Sequence, residues 1–475
     1  MVFILLNINK MRINKIKGIL SLISAILIHL LIGNLFSFPN FITYYHSYLE
    51  CEKNAYNETE SVSINQLNFI APTGILVHNT LPSVTGFLDN KLGTRVLTII
   101  GSISLLGSNL IMYYFTDYYL MIISYFLFGF CGSLTYFQSL KNCWKYFPDK
   151  KGLISGIVFS CFGLSAFIFT SLGDFIINPN GEKAKDKIYE CKIAYNFLKY
   201  LKFYIICIII MGTLSSILCF TYKEDNDINN EEEETILTNE KGEEKYSVVL
   251  KEDNKENSKN LTLKESLYSI NFLSCLTIAG CTLIFGFLLT TTYRTFGTKQ
   301  ELDEKGLQIL SKFFTLLNTF SRLLWGIICD KFGFKIPYII VCINQLICGI
   351  LIYFSSSNIY TYFIVVCFGV LSYSGHIILF PNLIHNKFGV ENSVILLGIC
   401  GIFAGISSMV GPIIISNTEN FLRVYLIGVA PTIVSLIVVL FIKVEKLDKV
   451  NEILPQVSES DKIVDNNLTR ETYDN

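Results

Sequence analysis

Charge is what this chain of 475 residues has least of. Only 16% of it is Asp, Glu, Lys or Arg, where soluble domains carry about 25%. Arg is scarcer still: Arg12, Arg95, Arg294, Arg322, Arg423 and Arg470 are all there are, so an Arg used where Lys is the default cation is informative. The net charge of −1 offers no basic surface and argues against nucleic acid as a partner. The 14 Cys form no CxxC or Cys/His spacing, so no metal site and no cofactor is expected. No nucleophile–base constellation appears either, which argues against an enzyme.

What is abundant is apolar sequence, 51% of the chain with a mean hydropathy of +0.47. Its apolar residues fall in runs of the roughly 20 residues that cross a bilayer. The runs predict an all-α membrane protein with twelve transmembrane helices, over 18–40, 64–88, 95–115, 119–140, 152–176, 201–221, 268–293, 307–329, 336–355, 359–383, 393–416 and 422–442. The first run is too long for a secretory signal and follows a basic stretch. Residues 222–265, with Glu231 to Glu234 and many Lys, Asn and Ser, hold too little apolar surface to fold alone. The expected organisation is a cytoplasmic tail (1–17), a six-helix half (18–221), a disordered cytoplasmic linker (222–265), a second six-helix half (266–443) and a disordered cytoplasmic tail (444–475).

With both termini cytoplasmic, the inside carries 13 Lys and Arg before linker and tail, against 11 outside. The positive-inside rule barely favours this orientation. Cys51 and Cys191 then fall in outside loops and could pair in an oxidising compartment. Asn57-Glu58-Thr59 is an outside glycosylation sequon, of a kind that chance supplies readily in an Asn-rich chain.

An internal repeat stands out. Gly86-Phe-Leu-Asp89-Asn90-Lys91-Leu-Gly93-Thr-Arg95 follows the second run, and Gly326-Ile-Ile-Cys-Asp330-Lys331-Phe-Gly333-Phe-Lys335 follows the eighth. Both read G-x-x-x-[N/D]-K-x-G-x-[R/K], 240 residues apart (86 to 326). Parallel repeats of this kind are a transporter architecture. The repeated loop resembles the signature of the major facilitator superfamily, where it is cytoplasmic. That resemblance implies a gating role for Gly86, Asp89, Asn90, Gly93, Arg95, Gly326, Asp330, Lys331, Gly333 and Lys335. Asn90 stands where the family usually has Asp, with Asp89 one residue early, which implies a weaker latch in the first copy.

Trp144-Lys-Tyr-Phe-Pro148-Asp-Lys-Lys-Gly152-Leu-Ile-Ser-Gly156 and Ser321-Arg322-Leu-Leu-Trp325-Gly326 resemble the oxalate:formate antiporters and monocarboxylate transporters. Departures narrow the likeness. The first run lacks the membrane Lys of animal monocarboxylate transporters, and Asn318 stands at their acidic position. The eleventh, Ser393 to Ile415, has no Lys, which disfavours a dicarboxylate held by two cations.

Arg322 lies eight residues before Asp330, about 12 Å along a helix and so well inside the bilayer. Ser311, Thr315, Asn318 and Arg322 share one helical face. A guanidinium suits a carboxylate bidentately and stays charged. The resemblance implies that Arg322 holds the substrate carboxylate, with Tyr136 of the fourth run in the lining. The alternative is that Arg322 only caps backbone carbonyls. No Asp or Glu lies mid-run, so His29, His78 and His376 are the possible proton carriers. His376 is expected to face the site, with Asn318 and Tyr373 beside it.

These readings predict a secondary transporter of small monocarboxylates in the lipid bilayer, coupled to H+ or exchanging anions, in the plasma membrane or, as the alternative, an organellar one. The rivals are a carrier of another small organic solute and a non-transporting nutrient sensor.

Overall fold

The computed structural model describes residues 2–56, 62, 64–67, 70–182, 188–222, 262–417 and 420–442. The sequon at Asn57, the body of the linker from 223 to 261 and the tail from 443 lie outside the described residues.

The spans are helices throughout. In lipid every backbone N–H and C=O must be satisfied internally, and a helix does this within one segment. The first span is Val2–Ile32, the third Thr94–Tyr114, the fourth Tyr118–Tyr146, the fifth Lys151–Ile177 and the sixth Asn196–Leu218. The seventh is Ile270–Lys299, the eighth Glu304–Phe332 and the ninth Lys335–Phe354. The tenth and eleventh run as Ile359–Asn417, broken only at Gly389. Proline splits the remaining two, because it lacks the N–H that would continue the ladder. The second is Ile70–Thr80 followed by Pro82–Leu92, and the twelfth Phe421–Val429 followed by Pro431–Phe441.

Among the described residues, nine helices are long and apolar enough to cross a membrane by themselves. The eighth falls short for a chemical reason: its Ser, Thr, Asn and Arg stripe lowers its hydropathy. Large apolar side chains such as Ile103, Phe320 and Ile433 stand exposed on the outside of the bundle, which only lipid can cover favourably.

Helix bounds add detail to three expectations. The run 18–40 lies on a single candidate span, Ile13–Phe36, that ends four residues earlier than expected: its helix stops at Ile32, and a short 3-10 turn, Gly33–Phe36, leads into a separate helix, Phe38–Tyr56. The turn sits where Gly33 presses on the fifth span beside Ser165, a place with no room for a side chain. The N-terminal stretch read as a tail is helical from Val2, continuous with the first span. The linker's last residues are ordered too: Thr262 and Glu265 form a reciprocal capping box that starts the helix Leu263–Leu267.

Each six-span half centres on a core, and the first takes in Ile378 of the tenth span. The first is built around Tyr45, Trp144, Phe159, Phe197 and Tyr204, the second around Phe285, Phe296, Tyr362 and Tyr425. The repeated loop closes alike in both. Gly93 and Gly333 each end a helix with a positive φ, +79° and +72°, a conformation that side chains resist. The turn into the next span is thereby made in about one residue.

The halves meet through equivalent pairs. The fifth packs on the eighth, where Gly152 and Gly326 bring two backbones into contact. The second packs on the eleventh, where Gly86 meets Ile395 and Gly398 meets Ser83. At the opposite end from the signature loops, Cys51 of the helix Phe38–Tyr56 is disulfide-bonded to Cys191, with Cα atoms 5.7 Å apart.

Candidate functional site

Arg322 is 5% exposed at the seam between the halves. Its Nη1 donates to the carbonyl oxygen of Phe159 on the fifth span at 2.8 Å, and its Nη2 to Asn318 Oδ1 at a long 3.5 Å. Its Nε has no partner. Among the described residues no carboxylate pairs with it. Gly163, one turn beyond Phe159, leaves the guanidinium its room: a Cβ there would sit 3.3 Å from Nη1.

The eighth span is held in register on both sides. Ser160 donates to the carbonyl oxygen of Thr319 at 2.8 Å, tying it to the fifth. Ser321 bonds Ser374 at 2.6 Å and Trp325 Nε1 donates to the carbonyl oxygen of Leu371 at 2.8 Å, tying it to the tenth. These bonds orient the helix face that carries Arg322.

Opposite lies Tyr136, within electrostatic reach of Arg322 and Tyr373. Its ring stacks on Phe159 at 4.8 Å and meets Phe162 at 5.0 Å. His29 and His78 flank the same ring at 5.1 and 4.9 Å. Tyr373 reaches the region from the tenth span, against Gly286 and Phe287. Of the site residues expected from sequence, Arg322, Asn318, Tyr136 and Tyr373 gather at one seam, and His29 and His78 join them.

His376 does not. Its Nε2 donates to Gln345 Oε1 at 2.8 Å, with Tyr338 at 5.0 Å, inside the second half. The reason is rotational. Gly375 abuts Trp325 of the eighth span, and His376 is about 100° further round the helix.

The sequence profile described as Major Facilitator Superfamily matches residues 20–412. The chain belongs to the Major Facilitator Superfamily. The "Uncharacterized MFS-type transporter YhjX" of Escherichia coli (strain K12) is 22% identical over 332 residues, covering 69% of this chain and 72% of that protein. The crystal structure of FucP in the outward conformation superposes with a TM-score of 0.63 at 12% identity, covering 89% of this chain and 97% of that one. The proton:xylose symporter XylE bound to 6-bromo-6-deoxy-D-glucose gives 0.60 at 11%, over 89% and 95%. At these identities the structures bear on the fold alone.

The signature loops of this facilitator do different work in each copy. Asp330 crosses the seam: its two oxygens accept from the backbone N–H groups of Gly152 and Leu153 at 2.6 and 2.7 Å. Asp89 stays in its own half, taking Thr94 Oγ1 at 2.8 Å and Lys141 Nζ at 3.1 Å. Asn90 Oδ1 accepts from the same Lys141 at 2.6 Å. Lys141 carries the link over to Glu391 of the eleventh span at 3.3 Å, and Lys145 pairs with Glu391 as well. These crossings, and the Trp144–His385 ring contact at 4.7 Å, all lie between mid-helix and the signature loops. The transporter is closed on that side.

Two signature residues are braces. Arg95 Nε donates to the carbonyl oxygen of Ser216 at 3.3 Å, at the end of the sixth span. Lys335 donates to those of Leu440 and Ile442 at 2.9 and 3.2 Å, at the end of the twelfth. Cations favour helix C-termini, so each basic residue ties the last helix of its own half. Lys331 lies over its neighbour Phe332, 5.3 Å from the ring centroid. Sequence reasoning missed Lys141 and Glu391. Lys141 had a signal, a lysine at the very end of the apolar fourth run, 119–140.

Proposed function

We propose that this transporter carries small monocarboxylates by alternating access, with Arg322 as the anion anchor. The observation that carries the reading is a buried guanidinium with a free Nε and, among the described residues, no acidic partner, in electrostatic reach of Tyr136 and Tyr373. A buried cation is expensive, and a carboxylate arriving there supplies the missing counter-charge and a planar acceptor. Asn318, Tyr136 and Tyr373 shape and hydrogen-bond the cavity. A second buried cation, which a dicarboxylate would need, is absent from the described residues around Arg322.

The signature loops and both termini face the cytoplasm in this reading, the stretch 222–265 tethers the halves there, and the plasma membrane is the site of action. The Cys51–Cys191 disulfide supports it, since the side opposite the loops is then the oxidising one.

The test is counterflow in proteoliposomes with labelled acetate, lactate and pyruvate beside labelled hexoses. Counterflow of a monocarboxylate, lost in Arg322→Gln, supports the assignment. Hexose counterflow that survives Arg322→Gln, with none of any carboxylate, overturns it.

A further inference from the structure

The first half holds two of the three imidazoles expected from the sequence as possible proton carriers, and both flank Tyr136. His29 is completely buried and His78 is 5% exposed. His29 Nδ1 lies 2.8 Å from the carbonyl oxygen of Ala25. A carbonyl only accepts, so the proton is on Nδ1 and Nε2 carries the free lone pair. That Nε2 has no partner, and neither does His78 Nδ1. His78 enters the fourth span where Gly132 has no side chain; any Cβ there would collide with its Nδ1. Gly132 is one turn before Tyr136, so the same helix face makes room for one imidazole and presents the phenol to both.

We infer that His29 and His78 form a single proton site that couples H+ movement to the anion on Arg322. The inference rests on the anion reading above. The surroundings contain few competing groups. Tyr136 touches both imidazoles and interacts electrostatically with Arg322, as does Tyr373 of the tenth span with Arg322. The fifth span contributes Phe159 and Phe162. On the fourth, Cys131 faces Gly101 of the third. The sixth presents Tyr200 and Tyr204, bonded to Asn34 and to the carbonyl oxygen of Leu31. The eleventh reaches the second at Asn79 through Gly401. No carboxylate is among them.

The electrostatics then select the order of events. With the site empty, a proton on either imidazole would sit in dry surroundings within the field of an uncompensated guanidinium. A bound carboxylate cancels that field, and one H+ from water then adds to the Nε2 lone pair of His29 or to Nδ1 of His78. The two imidazoles repel as a doubly charged pair, so one proton accompanies one anion. Since coupling is reciprocal, the proton also favours the anion. Arg322 keeps its own charge throughout, and on release the proton returns to water with the carboxylate.

The experiment compares two modes of transport of labelled lactate and acetate in proteoliposomes: accumulation driven by an inward proton gradient, and counterflow, which needs no net proton movement. The wild type should show both. His29→Gln combined with His78→Gln should lose gradient-driven accumulation by about tenfold or more, within the usual range of coupling factors, and still show counterflow; His376→Gln should keep both. A double variant that accumulates lactate as the wild type does overturns the proton site. So does a wild type that shows counterflow and no gradient response. Absence of carboxylate counterflow in the wild type is instead the failure of the anion reading. Should the double variant not fold, proton uptake by the purified wild-type protein on adding acetate decides: a rise in pH of a weakly buffered solution, absent in Arg322→Gln, supports the site, and no change overturns it.

Discussion

Asp330 closes the amino end of the fifth span, its two carboxylate oxygens accepting from Gly152 N–H and Leu153 N–H across the seam at 2.6 and 2.7 Å. A carboxylate at a helix N-terminus meets both free donors and the positive end of the helix dipole. It does so only while the halves are closed on this side, because the donors belong to one half and the acid to the other. The fifth and eighth spans can come this near because Gly152 and Gly326 face each other.

Asp330→Asn should therefore open the signature side. An amide oxygen can replace one acceptor but brings no charge, and hydrogen bonds to charged groups contribute about 1.5–3 kcal/mol. Losing one shifts the open–closed balance by roughly 10- to 150-fold. Distances between spin labels placed on the signature ends of the fifth and eighth spans should lengthen. An unchanged distance distribution would show that Asp330 does not hold the halves together.

Glu391→Gln should have a much smaller effect. Its side chain is 57% exposed where it meets Lys141 and Lys145, and exposed ion pairs contribute only about 0–1 kcal/mol. Asp89, buried with Lys141, should matter more than Glu391: its removal leaves the buried Lys141 with only Asn90 and the exposed Glu391 as partners, and hydrogen bonds to charged groups contribute about 1.5–3 kcal/mol. Thermal unfolding of Asp89→Asn beside Glu391→Gln checks the order. A Glu391→Gln variant as destabilised as Asp89→Asn would contradict it.

At the anion site, Arg322→Lys keeps the charge and loses the planar fork. Lactate affinity should fall between the wild type and Arg322→Gln, which should lose roughly 10- to 150-fold, the equivalent of one charge-assisted bond. Gly163→Ala tests the geometry without touching charge. Its Cβ would sit 3.3 Å from Nη1, so the guanidinium must yield by a few tenths of an ångström and the apparent affinity should drop while thermal stability stays near that of the wild type. A fully active Arg322→Lys together with an unfolded Arg322→Gln would assign Arg322 to packing against Phe159 alone.

The disulfide gives a topological measurement. Cys51 and Cys191 should resist a membrane-impermeant maleimide applied to intact cells until a reductant is added, and then react from outside. Single Cys introduced at Lys150 or Lys331 should react only after the membrane is opened. Labelling of the signature loops on intact cells would reverse the orientation.

The repeat and the spans were legible because each rests on local chemistry. Gly93 and Gly333 mark where the chain must turn with positive φ, and both do. The polar stripe of the eighth span was visible from helical spacing, and Asn318 and Arg322 do lie on one face in contact. The first run ends at Phe36 and not at 40, and the 3-10 turn that closes it packs Gly33 on the fifth span, a contact with a segment more than a hundred residues away. His376 misled because spacing says which residues share a face and not which neighbour that face meets.

The sequence by itself determined a twelve-span bundle in two repeated halves, since an apolar run in lipid has no option but to bond its own backbone as a helix. It also determined that one Arg would be buried there. The tertiary structure alone decided which side chains surround that Arg. His29, His78, Tyr136 and Arg322 come from four helices whose rotations are set by close approach at small residues such as Gly132 and Gly163, and a helix's rotation against its neighbours is a property of the packed bundle that no single segment encodes.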